Sequence, residues 1–300
     1  MSVKCLIWGT GLVYSQYINA IRYHELLGEI EVIGVTSNLG AYTDILGYPF
    51  ICKESISQYE FDIVVVMAEH TTFSAIQKEA MEINIPSEKI ISYKILLMPS
   101  MDIKKYIQLK NNTPTIFANN CWGGLTYHRL GLEFNSPFIN MFETDEDYLK
   151  ILENPSKYMD IELTYIEDRF EPVLKRYYPV CRCGDVLLYF NHYTSFDEAN
   201  NSWIRRKKRI QWNNLFIMML TENEDIARKF SKLPYSKKVC FVPFNMDIPS
   251  LVQVKLWTEQ VKLTELFSTI VNGMASGAYS YYDPIELLLN CNLKLISKTI

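Results

Sequence analysis

Residues 4–11, KCLIWGTG, decide how the first half of the chain is read. Four consecutive apolar residues, Cys5 to Trp8, run straight into Gly9 and Gly11. A continuous apolar run without alternation suits a strand buried on both faces, as in a parallel sheet. Glycines directly after such a strand let the chain turn tightly into a helix. The text that follows keeps this rhythm. Residues 13–27 predict a helix with Ile18, Ile21 and Leu26 on one stripe, and IEVIGVTSN (30–38) predicts a second strand. FDIVVVMAE (61–69) predicts a third, and TTFSAIQKEAMEINI (71–85) a helix leading to KIISYKI (89–95). These elements make a small Rossmann-like domain over residues 1–98.

Residues 99–113, PSMDIKKYIQLKNNT, carry Pro, charge and paired Asn, and read as a linker with one short helix. A second βα series fills 114–300. TIFAN (115–119) is a strand, GLTYHRLG (124–131) a helix closed by Gly131, and PFINMF (137–142) a strand. DEDYLKILENP (145–155) is a helix, DVLLYFNHY (185–193) a strand, and SFDEANNSWIRRKKRIQ (195–211) a helix. NLFIMML (214–220) and KKVCFVPF (237–244) are strands around the helix NEDIARKFSKL (223–233). The segments EQVKLTELFSTIVNG (259–273) and DPIELLLN (283–290) look helical. The expected fold class is therefore α/β, with two Rossmann-like three-layer α/β domains and mainly parallel sheets.

Composition narrows the function. A 48% hydrophobic, 21% charged chain of 300 residues has enough apolar surface for a sizeable core. A net charge of −4 supplies no basic field, which argues against nucleic acid as partner. No run of 18 apolar residues exists, so no integral membrane segment is expected, and the N-terminus does not read as a signal peptide. Seven Cys, an odd number with only Cys181 and Cys183 close together, do not resemble a disulfide framework. The expected location is cytoplasmic, with reduced thiols. Cys-x-Cys without a second cluster makes a poor zinc site, so no metal is expected.

Gly9 and Gly11 are the first two glycines of a dinucleotide fingerprint and the candidate cofactor-binding residues. Tyr14 stands where the third glycine belongs, and the second strand ends in Thr36, Ser37 and Asn38 without the acidic residue that holds a ribose. NAD(P) and hydride chemistry are therefore disfavoured. Two readings stay open: a phosphate site on backbone N–H groups, or a purely structural turn.

TIFANNCWGGLTYHRLGL (115–132) places Cys121 at the carboxyl end of a strand and the mouth of a helix, where sites form in open α/β sheets. The helix dipole there favours a thiolate. Gly123 and Gly124 allow close approach and offer N–H groups to an oxyanion, and Asn119 or Asn120 can add a side-chain donor. A nucleophilic Cys needs a base. His192, at the end of the strand DVLLYFNHY, faces the same crevice if the two strands are neighbours. The competing reading is that Cys121 and His192 are core residues. After Ser195 and Glu198, which spell a capping box, come Arg205, Arg206, Lys207, Lys208 and Arg209. Most of these charges suit a helix C-terminus, but Arg205, Arg206 and Arg209 are also candidate phosphate ligands.

NNCWGGLTYHRLGLEFNSPFINMF, YFNHYTSFDEANNSWIRRKKRIQWNNLFIMM and AYSYYDPIELLLN resemble a bacterial family catalogued as a domain of unknown function. Its members are commonly labelled exopolysaccharide biosynthesis protein, and the likeness spans roughly residues 112–300. It implies work on surface polysaccharide. A looser likeness, to bacterial papain-like cysteine peptidases, implies catalytic roles for Cys121 and His192. The N-terminal domain resembles small Rossmann-like domains fused to sugar-modifying enzymes.

These readings point first to a transferase acting on a nucleotide- or lipid-linked sugar. Asn119, Asn120, Trp122, Gly123 and Gly124 would surround that substrate, and the 205–209 cations would hold its phosphates. The rival enzyme is a cysteine-dependent hydrolase or acyltransferase using Cys121 and His192. The non-enzymatic rival is a nucleotide- or sugar-binding partner of other biosynthetic enzymes. ETDEDY spells the Asp-x-Asp of metal-dependent glycosyltransferases at Asp145 to Asp147, though acidic residues also open helices.

Overall fold

The computed structural model describes residues 2–38, 44–45, 47–99, 101–172, 175–254 and 264–294. The chain forms two compact units, Met1–Asn111 and Asn112–Ile300.

The first unit opens with β1 (Val3–Trp8), α1 (Leu12–Leu26) and β2 (Ile30–Thr36), then the short pair β3 (Asp44–Ile45) and β4 (Tyr48–Pro49). β5 (Ile63–Val66), α2 (His70–Glu82), β6 (Ile90–Ser92) and α3 (Ile103–Asn111) complete it. The main sheet runs β2-β1-β5-β6, all parallel. Its strands are buried on both faces, as continuous apolar runs require. The strand order reverses between β1 and β5, and the turn through Gly9 lies at the carboxyl end of that junction. Gly9 has φ +114°, and a Cβ there would meet the carbonyl oxygen of Met67 at 3.0 Å. Its N–H donates to Thr36 O at 2.9 Å. Close packing thus accounts for this glycine without a ligand.

α1 buries Tyr14, Ile18, Ile21 and His24. Leu26, expected on that stripe, is 86% exposed, because the sheet-facing stripe ends at His24. α3 occupies most of the stretch expected as linker and buries Ile103, Tyr106 and Leu109 within the first unit.

The second unit contains β7 (Thr115–Ala118), α4 (Trp122–Leu130), α5 (Asp145–Glu153) and α6 (Pro155–Asp160). β8 (Thr164–Glu171), β9 (Arg176–Cys183) and β10 (Val186–Tyr189) follow, then α7 (Phe196–Lys207) and β11 (Leu215–Leu220). α8 (Glu224–Ser231), β12 (Lys238–Val242), β13 (Leu251–Gln253), α9 (Thr264–Ser276) and α10 (Pro284–Asn290) close it. One sheet, β13-β12-β11-β7, is parallel throughout. The α/β class with parallel, Rossmann-like layers holds in both units.

A second sheet, β10-β9-β8, is antiparallel and is inserted between β7 and β11 in chain order. Here two expectations change. β10 is not a neighbour of β7. PFINMF is not a strand: Phe138, Ile139 and Met141 are buried, but only Phe142 makes a bridge, to Tyr189. Its apolar character comes from packing rather than from a ladder. Part of the helix expected over 259–273 falls outside the described residues. No helix among the described residues is long and apolar enough to cross a membrane.

Candidate functional site

β7 ends at Ala118 and hands the chain to Asn119, Asn120 and Cys121 before α4 begins. Cys121 is the N-cap of α4, half-buried, with its side chain uninvolved in capping. Asn120 caps instead: its Oδ1 accepts the N–H of Trp122 at 2.9 Å. This leaves the thiol directed elsewhere. Its Sγ lies 3.6 Å from Nε2 of His192, within reach of a thiol–imidazole hydrogen bond.

The pair meets although its strands belong to different sheets. His192 follows β10 in a turn, and its own N–H reaches Asn140 O at 3.4 Å. The Phe142–Tyr189 backbone bridge holds the 140s against the end of β10. The turn is fixed further by Tyr193, whose hydroxyl donates to Ile139 O at 3.1 Å and receives Nη1 of Arg206. Arg176 donates from Nη2 to Asn191 O at 2.9 Å.

The surroundings favour the uncharged form of both partners at neutral pH. Burial pushes the Cys121 thiol up. Burial, and then the Arg176 guanidinium, push the His192 imidazole down, opposed by Glu171. The helix terminus was expected to lower the thiol; desolvation outweighs it here. A neutral thiol beside a neutral imidazole is the arrangement of general-base catalysis, in which the proton leaves as the sulfur attacks.

The residues expected around substrate separate into two groups. Asn119 is buried and fully engaged with Leu220 and Asp145. Trp122 is buried, stacks on Phe216 and donates its indole N–H to Tyr282 at 2.8 Å. At Gly123 a Cβ would press on Ile116 at 3.2 Å, so this glycine lets α4 pack on β7. The side chains of Asn119 and Trp122 thus have structural partners of their own. Asn120 differs: its Nδ2 is buried with no partner among the described residues. The N–H groups of Gly123 and Gly124, in the first turn of α4, have no intrahelical acceptor. His128, on the same helix, is exposed.

The basic run divides between contacts to protein groups and exposed charge. α7 ends at Lys207, so Arg209 lies beyond it and pairs with Glu133 at 3.2 Å. Arg206 holds Tyr193 and lies over the Phe134 ring, and Lys207 donates to Met159 O at 2.6 Å. Arg205 is exposed. The Asp145–Asp147 stretch opens α5 behind Thr144, whose hydroxyl accepts the N–H of Asp147 at 3.2 Å. Among the described residues no three His, Cys, Asp or Glu side chains converge as a metal shell would require.

A cavity of about 710 Å³ opens at the carboxyl edge of β7 and β11, lined by Asn119, Asn120, Phe142, Glu143, Asp145 and Glu222 among others. Glu143 was not singled out in the sequence. It stands in an acidic helix approach that gives no sign of burial, yet it is only 4% exposed.

An uncharacterized protein from Haemophilus influenzae is 36% identical over 138 residues, which make up 45% of this chain. The chain covers 64% of that relative's length. Residues 1–91 match the family model of the C2185-like N-terminal domain. Residues 92–288, which include β7, the Cys121–His192 pair and the cavity, match the domain of unknown function DUF1919, and the chain belongs to that family.

Proposed function

We propose that the second unit is a cysteine-dependent acyltransferase or hydrolase whose acceptor or substrate is a saccharide of the cell surface. The observation that carries this reading is the 3.6 Å approach of Cys121 Sγ to His192 Nε2 at the mouth of α4. In the first step Sγ attacks an acyl carbonyl carbon while His192 takes the thiol proton. A C–S bond forms, and the carbonyl electron pair moves onto oxygen. The N–H groups of Gly123 and Gly124, at the start of α4, supply donors for that oxyanion. The leaving group departs with the proton from His192. A sugar hydroxyl, or water, then gives its proton to His192, attacks the thioester and frees the thiol.

The saccharide acceptor rests on the resemblance of roughly residues 112–300 to a family whose members are commonly labelled exopolysaccharide biosynthesis protein. The engagement of Arg206, Lys207 and Arg209 with protein groups weighs against the phosphate-binding transferase reading. The test is incubation with p-nitrophenyl acetate followed by peptide mass mapping. An acetyl group on Cys121, absent from His192→Ala and released by added saccharide, is expected. Acetylation of other cysteines alone, with none on Cys121, sinks the proposal.

A further inference from the structure

The turn that carries His192 is gripped from β9 at two points. The N–H of Phe190 donates to Pro179 O at 3.1 Å, and Nη2 of Arg176 donates to Asn191 O at 2.9 Å. Arg176 stands opposite Glu171 in the β8–β9 register, so this rung of the hairpin carries one cation and one carboxylate. Arg176 also acts on Glu198, whose carboxylate holds the N–H and hydroxyl of Thr194 at the start of α7. Yet the fold gains little from Arg176 itself. Its Nε is buried with no hydrogen-bond partner among the described residues. Taking part of a guanidinium out of water for one bond to a neutral carbonyl is a poor return, so stability alone does not account for a cation here.

We infer that Arg176 is a positioning residue for His192, holding the imidazole at the Cys121 thiol through the Asn191 carbonyl and fixing a positive charge beside the ring. The inference rests on the reading of Cys121 and His192 as nucleophile and base. The bond restrains the peptide just before His192, and a displacement of about 1 Å in a reacting group can cost ~100-fold in rate. The charge acts on protonation. Burial disfavours the imidazolium first, Arg176 disfavours it next, and Glu171 favours it. A ring kept free of its proton is ready to take the one on Sγ. Once it holds that proton, the same repulsion promotes transfer to the leaving group. The groups acting on the ring are thus Arg176 of β9, Glu171 of β8 and, at 3.6 Å, Cys121 at the mouth of α4. Glu198 of α7 interacts with Arg176.

The experiment pairs NMR titration of the four histidines, in the full chain with labelled imidazoles, with the rate of Cys121 acetylation by p-nitrophenyl acetate across pH. The signal absent from His192→Ala identifies the ring. Arg176→Gln removes the charge and keeps a donor for Asn191 O. It should raise the His192 midpoint and carry the acidic limb of the acetylation profile up with it. Arg176→Lys keeps the charge, so its midpoint should stay with the parent's. Glu171→Gln should move the midpoint down, and opposite shifts from two residues of one rung are not what general loosening produces. Arg176→Ala, which loses charge and bond, should also lower the plateau rate about tenfold, the equivalent of one charge-assisted hydrogen bond. A midpoint unmoved in Arg176→Gln overturns the inference, as does a parent-like plateau in Arg176→Ala. Acetylation that is the same in His192→Ala as in the parent overturns instead the reading of nucleophile and base. The titration, which needs no turnover, tells the two failures apart.

Discussion

Asn119 is joined to Leu220 in both directions. Its Nδ2 donates to the Leu220 carbonyl at 2.9 Å, and its Oδ1 accepts the Leu220 N–H at 3.0 Å. The side-chain amide thereby imitates one more rung of the β7–β11 ladder, just past its last paired residues, Ala118 and Met218. A third bond, from Nδ2 to Asp145 at 3.1 Å, ties the same point to the start of α5. The loop that delivers Cys121 therefore springs from a fixed floor.

That geometry makes Asn119→Ala a stability variant. It strands the partly buried N–H and C=O of Leu220, and unmet buried backbone groups cost on the order of 1–3 kcal/mol. Urea unfolding should show the midpoint falling by an amount equivalent to about 2 kcal/mol. If the midpoint holds while ligand binding or turnover disappears, Asn119 is a substrate contact, as its place in the sequence suggests.

The thiol gives a pH prediction with a definite sign. Burial raises Cys121, so the thiolate fraction at neutral pH is smaller than for a free cysteine, whose pKa is about 8.5. Iodoacetamide alkylation of Cys121 in the native protein should rise with pH through a midpoint above that value. His192 is pushed down and is neutral in this range, so His192→Ala should leave the midpoint nearly in place while abolishing acyl transfer. A midpoint below about 7, shifted upward by His192→Ala, would reveal a resting thiolate–imidazolium pair instead.

Glu143 bears on stability. Its folded-state pKa is raised well above the ordinary carboxyl value by burial, then by Asp147 and Asp145. A group raised in this way contributes its full stability below the unfolded value, near 4.3, and loses it as pH rises toward the folded value. Glu143→Gln removes the titration. The variant should therefore gain melting temperature over the parent at pH 7 to 8 and show little gain near pH 4. An equal difference at both pH values would mean that the carboxyl is not the source.

The parallel layers were legible because their strands are continuous apolar runs: TIFA in β7 is buried at every position, as is IVVV in β5. Cys121 at a strand end followed from the same run. The antiparallel insert was not legible. β8, TYIEDRFE, is exposed along nearly its whole length, so burial imposes no alternation and its pairing with β9 leaves no pattern in the sequence. His192 was found for an incomplete reason. From sequence, His192 reaches the crevice only if its strand neighbours β7, whereas the Phe142–Tyr189 bridge and the Asn140 carbonyl bring the turn to the thiol. Contacts of that kind join residues some 50 positions apart and have no local periodicity to reveal them.

Three arginines that look alike in the sequence, Arg205, Arg206 and Arg209, differ in what they hold. Arg205 is exposed, and Arg205→Gln should leave stability within about 0.5 kcal/mol of the parent. Arg209 pairs with Glu133, but both side chains are well exposed, at 38% and 63%, and such pairs contribute between about 0 and 1 kcal/mol. Arg206 is different in kind. Its Nη1 reaches the Tyr193 hydroxyl, that hydroxyl holds Ile139 O, and the guanidinium lies over Phe134. Tyr193 adjoins His192, so loss of the clamp should loosen the turn that carries the base. Arg206→Gln should cost more than the other two together, on the order of 2 kcal/mol for a charge-assisted bond to a buried group. It should also slow acylation of Cys121 while leaving alkylation of the exposed Cys52 unchanged. Arg206→Lys, which keeps the charge but loses the planar fork, should recover only part of either effect. Equal and small effects at all three positions, with a shared loss of salt-dependent ligand binding, would return the run to a phosphate site.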